Sequence, residues 1–243
     1  MSHSLSIEQN PTGYRYSVEP FLLAHFVEPE PAQRVLEVGT GCGILPLLLT
    51  SREPKLDISA VEIQESLVRI AIRNVAQSGR TGICIHHADF LEMARDLPPS
   101  SFDWIISNPP YRKRKSGRIN PDPEKAIARH ELKLSLPTLI AAAAPLLKPH
   151  GKLVLAYPPL RREEWATELK CNGLAPRRRL IIHGHHDTEP RILIMEAMRA
   201  ELCGRCEDQT LVMYNPDGSY TEPMQAIYER FDYSGRSHRL REK

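Results

Sequence analysis

Short apolar runs alternate with amphipathic stretches between residues 33 and 200. Apolar runs of four to eight residues between turn residues are typical of buried strands, whereas apolar positions three and four apart are typical of helices. Alternating strands and helices with continuously apolar strands predict an α/β fold, with a doubly wound, seven-stranded, mostly parallel sheet and an antiparallel last strand. The predicted strands are Arg34–Val38, Asp57–Glu62, Gly82–His87, Phe102–Ser107, Lys152–Tyr157, Arg178–His183 and Arg191–Met198.

The predicted helices lie between and around these strands. A helix that begins at Asp122-Pro123 is expected to bend or break at Pro137 and to resume through Ala141–Leu147, because proline removes a helical hydrogen bond. The other predicted helices are Phe21–Val27, Ile44–Ser51, Gln64–Ser78, Arg161–Lys170 and Pro223–Phe231.

Three segments follow from this pattern. Residues 32–206 form the main domain. Residues 1–31 contain one predicted helix. Residues 207–243 contain a predicted strand (Gln209–Tyr214), a helix and a basic tail. Both flanks are too small to bury cores of their own, so we expect them to pack on the main domain.

Composition restricts the class of protein. The chain has 243 residues, of which 41% are hydrophobic and 26% charged, as in ordinary globular domains, and no apolar run approaches the length of a membrane span. Five irregularly spaced cysteines favour a reducing compartment, so a cytoplasmic location is expected. The pair Cys203 and Cys206 has metal-type spacing but lacks a second pair, and no metal site is predicted.

The first predicted strand leads into a glycine-rich turn that opens a helix. Glycines let the backbone approach a ligand closely beside helix N–H groups. The spacing is G-x-G-x-G, and Glu37 stands two positions before the first glycine. A carboxylate there would repel a pyrophosphate but could receive the cationic end of S-adenosylmethionine, which disfavours a nicotinamide oxidoreductase. The candidate residues of this turn are Glu37, Gly39, Thr40, Gly41, Cys42 and Gly43.

The second and third strands also end in polar residues. Glu62, followed by Ile63, stands at the spacing from the turn at which a carboxylate accepts hydrogen bonds from ribose hydroxyls. Asp89 and Phe90 follow the third strand and offer an acceptor for the adenine amino group and an apolar wall for its ring. Each carboxylate alone could be a surface residue, but three strand ends in succession favour one cofactor site.

The fourth strand ends in Asn108-Pro109-Pro110-Tyr111. The Asn108 side-chain oxygen and the Pro109 carbonyl are two adjacent acceptors on a backbone stiffened by two prolines, and together they can hold an exocyclic –NH2 group. Tyr111 offers a face on which a planar group can stack. Asn108 also borders the cofactor end of the sheet, so it is a candidate for both sites.

Basic residues follow this motif immediately, although the net charge is only +2. A basic segment beside a candidate site attracts a polyanion, so we expect these cations to contact a polyanionic substrate. The candidates, with one from a later segment, are Arg112, Lys113, Arg114, Lys115, Arg118 and Arg129.

Together these motifs resemble class I S-adenosylmethionine-dependent methyltransferases, and the Asn-Pro-Pro-Tyr motif resembles that of enzymes that methylate nitrogen on planar systems. Residues 13–19, Ala128–Glu131 and Tyr214–Glu222 resemble the bacterial tRNA1(Val) (adenine-N6)-methyltransferase family. The resemblance covers roughly residues 13–233 and implies methyl transfer to adenine N6 in a tRNA anticodon loop. It implies hydrogen bonds from the amine to Asn108 and Pro109, stacking on Tyr111, and no strong base.

Other functions stay open at this point. A release-factor glutamine methyltransferase uses the same motif, but such enzymes carry a helical N-terminal domain for which 31 residues are too few. An rRNA or DNA amino-methyltransferase is a further alternative. A catalytically silent RNA-binding scaffold is the non-enzymatic alternative, and the intact set Glu37, Glu62, Asp89 and Asn108 argues against it.

Overall fold

An eight-stranded sheet organises the part of the chain that this computed structural model describes, which is residues 7–9, 16–109 and 134–231. The strands are β1 (Arg34–Val38), β2 (Asp57–Glu62), β3 (Ile83–His87), β4 (Phe102–Ser107), β5 (Leu147–Tyr157), β6 (Leu174–His183), β7 (Pro190–Arg199) and β8 (Glu207–Val212). Strands β1, β2 and β4 are mostly buried apolar runs that turn residues delimit.

The strand order is β3-β2-β1-β4-β5-β7-β6-β8. Strands β1 to β5 are mutually parallel, β7 is antiparallel to both β5 and β6, and β8 is parallel to β6. Because the direction reverses at β7 and again at β6, every described strand except β7 ends at the same edge of the sheet. The site therefore has one edge on which to assemble.

The prediction of seven strands is wrong, because β8 adds an eighth. Glu207–Val212 pairs with β6, and four of its six residues are exposed. A mostly exposed edge strand lacks the apolar run that identifies a buried one, so the sequence pattern places it outside the sheet. The predicted antiparallel arrangement of the last core strand is confirmed by β7.

Helices cover both faces of the sheet. Helices α1, α2, α3 and α7 pack on one face, and α4, α5 and α6 on the other. None of the described helices is long and apolar enough to span a bilayer. They are α1 (Glu19–Phe26), α2 (Ile44–Arg52), α3 (Glu65–Ser78), α4 (Phe90–Asp96), α5 (Leu136–Ala143), α6 (Arg162–Cys171) and α7 (Glu222–Glu229).

Two helices differ from the sequence-based expectation. Pro137 lies in the first turn of α5, where its missing N–H costs nothing, so it begins this helix instead of bending one. Ser135 caps α5 with its side chain. The sequence pattern does not predict helix α4, because it buries Phe90 without an apolar face of repeated positions. Its cap is Asp89.

Helix α1 lies within the core of the described chain. Phe21, Leu22 and Leu23 are all buried, and Phe21 contacts the rings of Tyr228 and Phe231 at centroid distances of 5.0 and 6.1 Å. These contacts join segments from both flanks of the main domain on one face of the sheet.

Candidate active site

The turn between β1 and α2 is shaped by glycine. Gly39, Gly41 and Gly43 have positive φ angles of 79°, 59° and 79°, which residues other than glycine rarely adopt. The N–H groups of Gly39 and Thr40 both donate to the Val61 carbonyl, at 2.8 and 3.1 Å. The turn, called the glycine loop below (residues 39–43), is thus bound to the end of β2.

Glu62 strengthens this attachment. Its Oε2 accepts the Gly41 N–H at 2.9 Å, and its Oε1 accepts the Gln64 N–H at 2.9 Å. The side chain is buried. A carboxylate oxygen can accept more than one hydrogen bond, so a residue that holds the loop can also be a ligand for a hydroxyl group.

Glu37, which precedes the loop, and Thr40, within it, are buried polar residues that lack some of their hydrogen bonds. Glu37 is only 5% exposed, and burial raises its pKa to about 8, with the Glu62 charge adding to the rise and the nearby Thr40 hydroxyl opposing it. Among the described residues, neither Glu37 Oε2 nor Thr40 Oγ1 has a hydrogen-bond partner of good geometry. Unpaired buried acceptors are costly, so this pair is suited to a ligand that donates hydrogen bonds or carries positive charge.

Cys42 and Gly43 end the loop against helix α3. A Cβ on Gly43 would lie 3.1 Å from the Ala71 Cβ, so glycine permits the close approach of the helix. Burial raises the pKa of the Cys42 thiol to about 12, which keeps it protonated and excludes it as a nucleophile at neutral pH. Cys42 therefore contributes backbone and packing to the site.

The end of β3 presents Asp89 beside Glu62. Residues Glu62 and His87 are register partners, and the Ile63 carbonyl lies 3.2 Å from His87 Nε2. Asp89 Oδ1 accepts the Leu91 N–H at 2.8 Å and so caps α4. Phe90 is buried in the hydrophobic core at the start of that helix.

The end of β4 is fixed directly to the end of β1. Ser107 is fully buried and pairs in register with Val38, and its Oγ donates to the Val38 carbonyl at 2.7 Å. Gly39 directly follows Val38, and Asn108 directly follows Ser107. Asn108 and the first glycine of the loop therefore lie next to each other at the ends of adjacent strands. Asn108 is half-buried and Pro109 is buried.

The remaining predicted site residues lie outside the described residues. They are Pro110, Tyr111, Arg112, Lys113, Arg114, Lys115, Arg118 and Arg129.

Sequence reasoning missed two site residues. The apolar pattern identifies Ser107 only as the end of a strand. A hydroxyl residue that ends a buried apolar run could have indicated a hydrogen bond to a neighbouring strand. Asn74 on α3 is fully buried and donates to the Cys42 carbonyl at 2.8 Å. Asn74 could have been found from the sequence because it is a polar residue on the apolar face of a predicted helix.

No cluster of three or more His, Cys, Asp or Glu residues suited to a metal ion occurs within residues 7–9, 16–109 and 134–231. The five cysteines are free thiols, and burial raises the pKa values of both Cys203 and Cys206.

The sheet order and this row of polar strand ends define a Rossmann-like methyltransferase. A solved structure described as a predicted O-methyltransferase from Agrobacterium tumefaciens matches the fold with a TM-score of 0.65 at 19% sequence identity, covering 88% of this chain and 97% of that one. The model of the family described as "Methyltransferase small domain" matches residues 19–163, which is more than half of the chain. The chain belongs to this family.

Curated relatives extend the similarity over nearly the whole chain. A protein of Tolumonas auensis named tRNA1(Val) (adenine(37)-N6)-methyltransferase is 29% identical over 93% of this chain and 92% of its own. A protein of Dyadobacter fermentans with the same name is 28% identical over 93% of this chain and 95% of its own.

Proposed function

We propose that this protein transfers a methyl group from S-adenosylmethionine to the exocyclic N6 of an adenine in tRNA, at position 37 of tRNA1(Val). The observation that carries the proposal is the Ser107–Val38 hydrogen bond of 2.7 Å, because it sets Asn108 beside the glycine loop. The names of the relatives supply the substrate.

The residues of the glycine loop suit this cofactor. The unpaired Glu37 Oε2 and Thr40 Oγ1 can accept hydrogen bonds from an ammonium group. A Cβ on Gly39 would meet nothing within 4 Å, so the loop faces open space there. Glu62 has acceptor capacity for ribose hydroxyls, and Asp89 has the same capacity for an adenine amine.

S-adenosylmethionine supplies an electrophilic methyl group on a positively charged sulfur. The adenine amine is a poor nucleophile because its lone pair is delocalised into the ring. The Asn108 side-chain oxygen and the Pro109 carbonyl accept its two N–H groups and orient the lone pair toward the methyl carbon. They would also stabilise the positive charge that develops on nitrogen as the carbon–nitrogen bond forms and the carbon–sulfur bond breaks, with neutral S-adenosylhomocysteine as the leaving group. The proton then leaves the charged nitrogen to water, so no strong base is required.

The RNA side of the proposal depends on residues outside the described part of the chain. Tyr111 stacks on the target base, a contact worth about 1–3 kcal/mol. The cations between Arg112 and Arg118, with Arg129, bind phosphates on either side of the target. An anticodon loop presents the adenine unpaired, so little energy is needed to bring it into the site. Such a substrate implies a cytoplasmic location.

The test is methyl transfer from labelled S-adenosylmethionine to a tRNA1(Val) transcript, with nucleoside analysis of the product. The proposal requires N6-methyladenosine, and a transcript with guanine at position 37 must remain unlabelled. Label on both transcripts would contradict the assigned position. Label on a release factor or on rRNA, with none on tRNA, would support the alternative acceptors instead.

A further inference from the structure

Asn74 on α3 is a fully buried amide outside the set of residues proposed to contact the cofactor. Its Nδ2 donates to the Cys42 carbonyl at 2.8 Å and to the Glu8 carbonyl at 3.0 Å. Its Oδ1 accepts the Glu8 N–H at 2.8 Å. Both donors and the acceptor of the amide are therefore used, and they connect two segments that are distant in sequence.

One of these segments is the glycine loop, which is now held from two sides. Glu62 on β2 accepts the Gly41 N–H, and Asn74 on α3 donates to the carbonyl of the next residue, Cys42. The close contact of Gly43 with Ala71 brings α3 to the loop, and Asn74 lies three residues after Ala71 on the same helix face. The helix approach and the hydrogen bond thus support each other.

The other segment is residues 7–9. Ile7 packs against the hydrophobic core, and the Glu8 backbone pairs with Asn74 through both its N–H and its carbonyl. The Glu8 carboxylate also binds Arg73 at 2.7 and 3.0 Å, but this ion pair is exposed and contributes little. The backbone pairing with a buried amide is the stronger attachment.

We infer that Asn74 is a positioning residue through which residues 7–9 hold the glycine loop in its ligand-binding conformation. The inference rests on the proposed function, in which this loop binds S-adenosylmethionine. A loop with three glycines at positive φ has many alternative conformations when it is not restrained. Each attachment removes some of them before the ligand arrives, and this preorganisation raises affinity without any direct contact to the ligand.

The first experiment measures S-adenosylmethionine affinity by calorimetry for two pairs of variants. Asn74→Ala removes the bridge, and its control, Gln77→Ala, removes an exposed amide from the same helix. Glu8→Pro removes the backbone N–H that donates a hydrogen bond to Asn74 Oδ1. Its control, Glu8→Ala, keeps this N–H and removes only the carboxylate. Asn74→Ala and Glu8→Pro should each weaken binding about tenfold, and the controls should stay within about twofold.

The double variant Asn74→Ala with Glu8→Pro distinguishes the restraint of the glycine loop through Asn74 from general destabilisation of the fold. If both changes act through one bridge, Asn74→Ala with Glu8→Pro binds no more weakly than Asn74→Ala alone. Additive losses would show that residue 8 acts elsewhere and would overturn the inference. Should Asn74→Ala fail to fold, the comparison of Glu8→Pro with Glu8→Ala decides, since equal affinities in that pair contradict the bracing.

Hydrogen exchange gives a readout that does not depend on the cofactor. The Gly41 and Gly43 amides are both hydrogen-bonded, to Glu62 and to the Thr40 carbonyl. They should exchange about tenfold faster in Glu8→Pro, while amides of β5 keep their rates. Unchanged loop exchange would overturn the inference. If wild-type protein does not bind S-adenosylmethionine, the proposed function fails, and the exchange rates still decide whether Asn74 braces the loop.

Discussion

Glu62 Oε2 accepts the Gly41 amide hydrogen at 2.9 Å, so the last residue of β2 fixes the loop that follows β1. The second oxygen of the same carboxylate accepts the Gln64 N–H. A residue predicted only as a ribose ligand thus also determines the shape of the neighbouring loop. Binding of the cofactor and order of the loop are therefore coupled at one side chain.

Replacing Glu62 with Gln tests this coupling. Both carboxylate oxygens accept backbone N–H groups, whereas glutamine offers one oxygen and places an NH2 group against the other donor. We expect the free energy of unfolding to fall by about 1–3 kcal/mol and S-adenosylmethionine affinity to fall at least about tenfold. Denaturant titration and calorimetry measure the two losses. Glu65→Gln, at an exposed residue of α3, is the control and should change neither.

Glu37 gives a pH dependence of folding stability with a definite sign. Its pKa is about 8 in the folded protein and 4.5 in the unfolded chain, so the folded state holds the proton more tightly. The contribution of Glu37 to stability is therefore fully present below about pH 4.5, decreases as pH rises and is lost above about pH 8, a change of a few kcal/mol in all. Glu37→Gln should remove this loss, being more stable than wild type at about pH 9 and similar at about pH 5. Equal pH dependence of unfolding in wild type and Glu37→Gln would contradict a buried Glu37 carboxyl with a raised pKa.

The same carboxylate predicts proton release on cofactor binding. An ammonium group binds the ionised form of Glu37, so near pH 6.5 about one proton must leave for each S-adenosylmethionine bound. Affinity should rise by up to about tenfold per pH unit between about pH 6 and 7.5, and less steeply near pH 8, where the ligand amine itself begins to lose its proton. Calorimetry in buffers of different ionisation enthalpy counts the protons. Glu37→Gln should bind more weakly and release none.

Two glycines with the same φ angle provide a matched pair. Gly39 and Gly43 both have φ of 79°, but an added Cβ meets open space at Gly39 and the Ala71 Cβ at 3.1 Å at Gly43. Gly39→Ala should cost only the backbone strain, about 1 kcal/mol of unfolding free energy. Gly43→Ala should cost about 1–3 kcal/mol more, because α3 must move away from the loop. Equal losses in thermal or urea unfolding would argue against the tight approach of α3.

The basic segment after the Asn-Pro-Pro-Tyr motif predicts a salt-dependent interaction with tRNA. Replacing Arg112, Lys113 and Arg114 with Gln should weaken tRNA binding and reduce the slope of log K against log salt by about 0.7–0.9 for each phosphate that is no longer neutralised. Filter binding between low and moderate salt measures the slope. A control triple variant replaces Lys55, Arg69 and Lys170, three exposed cations elsewhere on the surface. An unchanged slope in the first variant would remove this segment from the RNA interface.

Much of the sheet could be predicted from sequence because its central strands are unambiguous. The bounds of Arg34–Val38, Asp57–Glu62 and Phe102–Ser107 are those of β1, β2 and β4. Each is an apolar run that turn residues delimit. The strand Gln209–Tyr214 was predicted, but its pairing with β6 was not, because β8 is mostly exposed. Helix α4 was not predicted, because it buries Phe90 without an apolar face of repeated positions.

The types of residue at the strand ends were also predictable, because parallel strands bring their carboxyl ends to one edge. The connections between them were not. The hydrogen bonds from Gly41 to Glu62 and from Asn74 to Cys42 join residues 21 and 32 positions apart. Local sequence patterns carry no signal for such pairs, which depend on how strands and helices pack.

The most direct test of the proposed function compares cofactor binding and methyl transfer in Asn108→Ala. Asn108 is half-buried at the end of β4, and its loss removes an acceptor for the adenine amine while leaving the Glu37, Glu62 and Asp89 carboxylates in place. We predict S-adenosylmethionine affinity within about threefold of wild type and methyl transfer to tRNA reduced at least about 100-fold. A variant that folds, binds the cofactor and methylates tRNA within about tenfold of the wild-type rate would contradict the assignment of Asn108 to the reaction.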